Sequence, residues 1–305
     1  MIIKPCVPSK ELMIFRSLNA RMDLSPDDIH YYLKLEKGFE GELMFNHLLQ
    51  EYPCDWLIIN DLLLEKNNTT FQIDILLISQ KKIFHFEVKN FEGDYFIDDN
   101  QWYTAFSKTG IINPISQLEK SRILLKRLLQ DFGCHLPLES YLIFINPQFM
   151  LYNAPINPSI IFPAQLERFM TTKMNLNGCH MNKSHHRLGE KFISRNITDS
   201  KFSRVPSYNF EGLRKGVFCS VCYSAMSKDK EKNIICRQCG YIENWQVALM
   251  RSVDEYRLLF PDKKVTTNAV YEWCNGVKST NTIRRTLIKN LNHVQKARSS
   301  YFHIG

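Results

Sequence analysis

Apolar and polar positions alternate with two rhythms along this chain. From residue 35 to residue 51 the apolar side chains Phe39, Leu43, Phe45, Leu48 and Leu49 recur at helical spacing, and Pro53 ends the run. Residues 56–64 then predict a strand and the polar stretch 66–70 a turn. Two strongly apolar segments, 71–78 and 83–91, flank the turn-like 79–82 and predict a hairpin. Asn113-Pro114 predicts a helix start, because asparagine caps well and proline at the first helical position loses no needed hydrogen bond. That helix should reach about residue 131, with Gly133 terminating it. Short buried strands are expected at 141–145 and 160–162, followed by a helix through 170. This order predicts an α/β core in which a mixed sheet is flanked by helices.

The carboxyl-terminal third reads differently. Residues 173–212 are polar and lack clear periodicity, and His185-His186 there read as solvated surface histidines. Helices are expected at about 243–260, at 267–274 and, after a turn at Asn275-Gly276, at about 280–292. The last two, joined by a glycine-containing turn, have the form of a helix-turn-helix, with 294–304 as a strand or wing. The expected domains are a lead-in over 1–34, a core over 35–172, a linker over 173–212, a small module over 213–242 and a helical basic module over 243–305.

The chain has 305 residues, 44% hydrophobic and 23% charged, which suits two or three globular domains. No apolar run approaches the roughly 18 residues of a membrane helix, and the first 15 residues lack a signal-peptide core, so the expectation is a cytoplasmic protein without membrane contact. Net charge is +8, and residues 263–305 hold eight lysines or arginines against the single acid Glu272. A basic end on a nearly neutral body suits a polyanion partner. Lys278, Arg284, Arg285, Lys289, Lys296 and Arg298 are the candidate nucleic-acid contacts.

Within the hairpin, Glu87 and Lys89 are two residues apart on one strand and so share a face, while Phe84, Phe86 and Val88 point to the other. Asp74 lies in the preceding strand, where a lone carboxylate among apolar residues is costly unless a charged partner or cation stabilises it. An antiparallel pairing can set Asp74 beside Glu87. Two carboxylates suffice for Mg²⁺, which keeps several waters, and a nearby lysine can bind a phosphate oxygen or orient water. Acid-x-Lys also occurs at Asp199–Lys201 and Asp262–Lys264, yet only Glu87–Lys89 falls on an expected strand beside a second carboxylate. Glu42 on the helix before the hairpin and Gln117 on the helix after it can add a carboxylate and a neutral hydrogen bond.

Gly41-Glu42, the strand with Gln72-Ile73-Asp74, Glu87-Val88-Lys89-Asn90 with Gly93, and Asn113-Pro114 with Gln117 together resemble the nuclease-related domain (NERD) family. That family is a branch of the PD-(D/E)xK restriction-endonuclease-like superfamily, and the resemblance covers about residues 35–170. It implies a restriction-endonuclease-like fold, Asp74 and Glu87 as ligands of Mg²⁺ or Mn²⁺, Lys89 as catalytic lysine, and Glu42 and Gln117 as accessory groups. The implied function is a metal-dependent nuclease acting on DNA; a non-catalytic nucleic-acid-binding protein and an RNA-processing nuclease are the alternatives.

Nine cysteines are present. Cys219, Cys222, Cys236 and Cys239 form two CxxC pairs, the spacing of a structural Zn²⁺ site with all four positions filled by thiolate, as in a zinc ribbon. Cys6, Cys54, Cys134, Cys179 and Cys274 are scattered and read as free, mostly buried thiols.

Overall fold

A computed structural model describes residues 1–174, 180–198, 204–228, 232–296 and 299–303. The chain divides into two compact units: Met1–Val7 with Lys34–Phe202, and Pro8–Leu33 with Ser203–Gly305. Strand β1 (Ile2–Lys4) belongs to the first and helix α1 (Lys10–Arg21) to the second, while α2 (Pro26–Gln50) contributes to both. The lead-in therefore holds regular structure that its weak periodicity concealed.

The first unit is mixed α/β. After α2 come the strands β2 (Leu57–Lys66), β3 (Thr69–Ile78), β4 (Ile83–Lys89), β5 (Gly93–Asp98), β6 (Gln101–Thr104) and β7 (Gly110–Ile111). Then follow α3 (Pro114–Asp131), β8 (Leu138–Phe144), β9 (Phe149–Tyr152), β10 (Ile160–Ile161), α4 (Leu166–Phe169) and α5 (Lys183–Arg195). Six strands make the main sheet in the order β1-β2-β3-β4-β8-β10, and β7-β6-β5-β9 make a smaller one. The meander β2-β3-β4 is antiparallel, whereas β8 joins β4 in parallel after the α3 crossover. Phe45 and Leu49 of α2 pack on one face of the sheet with Phe84, Phe86 and Val88. Leu124, Leu125 and Leu128 of α3 and Phe192 of α5 cover the other.

The α3 start behaves as expected: Asn113 Oδ1 accepts from the Ile115 N–H at 2.9 Å. Helix α5 lies in the segment expected to be a linker. Asn182 caps it, and Leu188 and Phe192, one turn apart, are its buried contribution to the core. His185 is correspondingly no surface histidine: it is buried, and its Nδ1 accepts from the Asn182 N–H at 3.0 Å.

Strand β2 contains an irregularity that the apolar pattern hid. Asp61 adopts φ 48°, the left-handed region. Leu57 and Ile59 before it and Leu62 and Leu64 after it all reach the same core cluster, so the alternation of faces switches at this residue.

The second unit holds a three-stranded ribbon, β11 (Met226–Lys228), β12 (Asn233–Cys236) and β13 (Ile242–Asn244). Next come α6 (Trp245–Leu259), α7 (Thr267–Trp273), α8 (Thr280–Asn290) and the hairpin β14 (Asn292–Lys296) with β15 (Ser299–His303). Val265, just before α7, bridges Phe302 of β15. The order is thus a helix, an isolated bridge, two helices joined by a turn and a final hairpin. Arg21 of α1 is fully buried here, with Nε 2.9 Å and Nη2 2.5 Å from the Glu255 carboxylate and Nη1 2.7 Å from the Arg214 carbonyl. Its guanidinium lies 3.7 Å from the Trp273 ring centre.

Among the scattered cysteines Cys6, Cys134 and Cys274 are free, Cys274 buried. Cys54 is disulfide-bonded, against the expectation of a free thiol; Cys179 lies outside the described residues. No helix among the described residues is long and apolar enough to cross a membrane.

Candidate active site and metal centre

The ladder between β3 and β4 runs from Ile78–Ile83 to Ile75–Phe86, and one step further lie Asp74 and Glu87. Asp74 Oδ2 accepts from the Val88 N–H at 2.8 Å. Glu87 is buried, and its Oε1 accepts from Lys89 Nζ at 2.8 Å. The same ammonium donates to Gln117 Oε1 at 3.1 Å, so α3 delivers its residue to the end of β4.

Glu42 reaches this region because α2 lies unusually close to the chain leaving β4. A Cβ on Gly41 would stand 2.6 Å from Asn90 Cβ, so only glycine fits there. Asn90 is itself pinned, donating to the Lys37 carbonyl at 2.8 Å and accepting from Asn146 Nδ2 at 3.1 Å.

Electrostatically, the site has more carboxyl groups than its one ammonium can keep ionised. Burial, followed by Asp61, raises Glu42 to about 7, with Lys89 opposing the rise. Burial and the neighbouring Glu87 and Glu42 hold Asp74 well above the usual carboxylate range. Burial, the largest single influence, lowers Lys89, but Glu87, Asp74 and Glu42 together outweigh it and raise the group, so it stays an ammonium at neutral pH. With one ammonium among three carboxyls, the raised Asp74 and Glu42 favour their protonated forms, and a divalent cation would take the place of those protons. The donors are hard oxygens, the type Mg²⁺ and Mn²⁺ prefer. Glu42, Asp74 and Glu87 are not gathered as tightly as the cysteine quartet described below, which among the described residues is the group whose ligand atoms all lie within 4.8 Å.

The apolar pattern did not reveal three neighbours of the site. Asp61 is raised by burial, against the pull of Lys4 and a 3.0 Å hydrogen bond from Gln72 Nε2. Lys4 Nζ donates to the Asp61 carbonyl and lies 3.7 Å from its carboxylate. Burial, with Glu42, Asp61 and Asp74, pushes the Cys6 thiol up to about 12. The available signal was the polar pair Asn60-Asp61 inside an otherwise apolar strand.

Behind the site, His85 of β4 is fully buried between Ser140 Oγ, 3.1 Å from Nδ1, and Ser121 Oγ, one turn along α3 from Gln117 and 3.3 Å from Nε2. Burial, and then Arg122, lower it to about 3, so the ring is neutral.

The four paired cysteines converge in the second unit. Cys219 and Cys239 Sγ are 3.7 Å apart, and Cys222 and Cys236 Sγ 3.3 Å. Tetrahedral zinc at about 2.3 Å from sulfur would space its ligands about 3.8 Å apart, so the quartet fits the ion. Both knuckles share one backbone design. The N–H of Tyr223 donates to the Cys219 carbonyl and that of Gly240 to the Cys236 carbonyl. Both residues are left-handed, at φ 58° and 75°. Hydrogen bonds from the Ser224 backbone and hydroxyl lower Cys222 to about 6. Cys239, lowered by the Tyr241 backbone, is nevertheless raised to about 12 by desolvation and the other thiols. Four adjacent thiols cannot all ionise unless a cation sits among them.

On α8, Ile283, Thr286 and Leu287 face inward. Arg284, Arg285, Ile288 and Lys289 are exposed on the opposite side, and neither arginine nor Lys289 joins an ion pair among the described residues. No acid occurs from residue 273 to residue 305. Lys278 is half-buried, its ammonium 5.5 Å from the Trp245 ring centre. Lys296 ends β14, and Arg298 lies outside the described residues.

The model of the nuclease-related domain family matches residues 37–145, from the start of the α2 motif to the end of β8. No curated protein and no solved structure matches the chain. Residues 37–145 thus match the nuclease-related domain, and the four cysteines beyond them fit a zinc ribbon.

Proposed function

We propose that the first unit hydrolyses phosphodiester bonds in nucleic acid with a divalent cation, and that the second unit binds the substrate, DNA, through its basic helical module. The observation that carries this reading is the Lys89 ammonium. It sits 2.8 Å from Glu87 and 3.1 Å from Gln117, beside the carboxyls of Asp74 and Glu42, which burial and their acidic neighbours raise. Asp74 and Glu87 would hold Mg²⁺ or Mn²⁺, which when bound supplies a Lewis acid and a more acidic water. Lys89 donates to a phosphate oxygen and stabilises charge that grows in the transition state. Gln117 holds the lysine and accepts or donates a hydrogen bond at the mouth of the site, and Glu42 adds charge from the α2 side. In the second unit, Arg284, Arg285 and Lys289 present cations to phosphate and base edges, as a second helix of this motif does in a major groove. Zinc is structural in this reading.

The test is cleavage of plasmid DNA and of single-stranded RNA by the purified chain with Mg²⁺ or Mn²⁺, beside Lys89→Ala. Cleavage by the wild type, reduced at least about a hundredfold in the variant, is expected. If wild type and variant both leave every substrate intact, the catalytic reading is lost and a binding protein remains. Cleavage of RNA alone would replace DNA as the substrate.

A further inference from the structure

We propose that His85 is a positioning residue for this centre: its hydrogen bond to Ser121 sets the register of α3 on β4 and so places Gln117 against Lys89. The inference rests on the catalytic reading above for its consequence, but not for its geometry.

Two polar rungs join α3 to β4 on one face of the sheet, His85–Ser121 and Lys89–Gln117. Apart from an ion pair between Asp131 and Lys66 of β2, the other contacts of α3 with the sheet are apolar, from Leu124, Leu125, Leu128 and Leu129 and from Leu118 against Leu142 and Phe144. Hydrophobic burial is non-directional, so such contacts resist separation more than they resist sliding or rotation. A hydrogen bond has a preferred distance and angle, and a buried network selects one arrangement. The inner rung is the one that water cannot replace, because His85 and Ser121 are both buried.

The proton inventory gives the rung a direction. Ser121 Oγ lies 3.1 Å from the Gln117 carbonyl and 3.0 Å from the Leu118 carbonyl, so its one proton is directed along its own helix. It must then accept from His85, which puts the ring proton on Nε2 and leaves Nδ1 to accept from Ser140. Ser121 thereby links the ring to the carbonyl of Gln117 itself. A slip of α3 by one residue would turn Gln117 by about 100° and shift it by about 1.5 Å, out of reach of Lys89.

The sharpest test replaces the two ring nitrogens separately. In His85→Gln the amide nitrogen takes the place of Nε2–H, and in His85→Asn the amide oxygen takes the place of Nδ1. For each, kcat and KM on plasmid DNA are measured together with the Gln117 side-chain amide resonance in a ¹H–¹⁵N spectrum of the full chain. Glutamine should remain close to wild type in both. Asparagine should lower kcat by about ten- to a hundredfold with KM nearly unchanged, and should move the Gln117 resonance. Ser121→Ala removes the other partner with a smaller change in volume and should move the same resonance. Should His85→Asn fail to fold, Ser121→Ala decides. Equal behaviour of the asparagine and glutamine variants, whether unperturbed or equally impaired, overturns the proposal, as does an unmoved Gln117 resonance in Ser121→Ala. If the wild type cleaves nothing, the catalytic reading fails and the resonance alone decides the positioning claim.

Discussion

Gly38 and Gly41 lie in the same helix, α2, and mutating both to alanine separates helix propensity from close approach. Alanine is favoured over glycine in a helix interior by about 0.5–1 kcal/mol. At Gly38 a Cβ meets nothing within 4 Å, so Gly38→Ala should stabilise by about that amount. At Gly41 it meets Asn90 Cβ at 2.6 Å, and Asn90 is tethered on both sides, so the helix must move. Overpacking of this kind costs about 1–3 kcal/mol, against which the propensity gain is smaller, and the net result should be a loss of up to about 2 kcal/mol. The displacement is about 1 Å at the residue next to Glu42, and misplacement on that scale costs about a hundredfold in rate. Urea denaturation gives the two stabilities, and plasmid cleavage gives the activity. If Gly41→Ala is as stable as Gly38→Ala and cleaves as well as wild type, the close approach of α2 has no functional meaning. The stability contrast stands as a test even for a chain that cleaves nothing.

Other perturbations address the second unit. Arg21→Leu leaves the largely buried Glu255 without its partner and should cost about 3–5 kcal/mol, read from the urea midpoint of Trp273 fluorescence; a loss under about 1 kcal/mol would mean the pair is replaceable. Elemental analysis should find one zinc per chain, and a strong chelator should open the ribbon to protease between residues 217 and 244; a chain free of zinc yet equally resistant would remove the metal from the account. Replacing Arg284 and Arg285 together with alanine should weaken DNA binding and lower the slope of log affinity against log salt by about 2, whereas an unchanged slope would mean that α8 does not face phosphate.

The parts of the fold legible in the sequence were those encoded by neighbours in the chain. Alternating apolar residues marked β3 and β4, Asn113-Pro114 marked the start of α3, and the cysteine spacing marked the ribbon. Glu87 and Lys89 are two residues apart on a strand, so their shared face followed from the period alone. His85 could not be read in that way, because its partners lie 36 and 55 residues away and only the parallel pairing of β4 with β8 and the docking of α3 bring them together. Helix α5 was hidden because its apolar face is narrow, two residues in a polar segment, and its capping asparagine looks like any loop residue. The disulfide at Cys54 likewise leaves no local trace in spacing.

Asp61 joins a backbone requirement to a charge, and the two have different tolerances to mutation. A left-handed position in a strand admits glycine, asparagine and aspartate with little penalty and other residues at a cost. Asparagine and glycine codons are each one base change from an aspartate codon. Ordinary drift can therefore remove the negative charge beside Glu42 while the bend of β2 persists. Among descendants of this chain, the bend should outlast the charge.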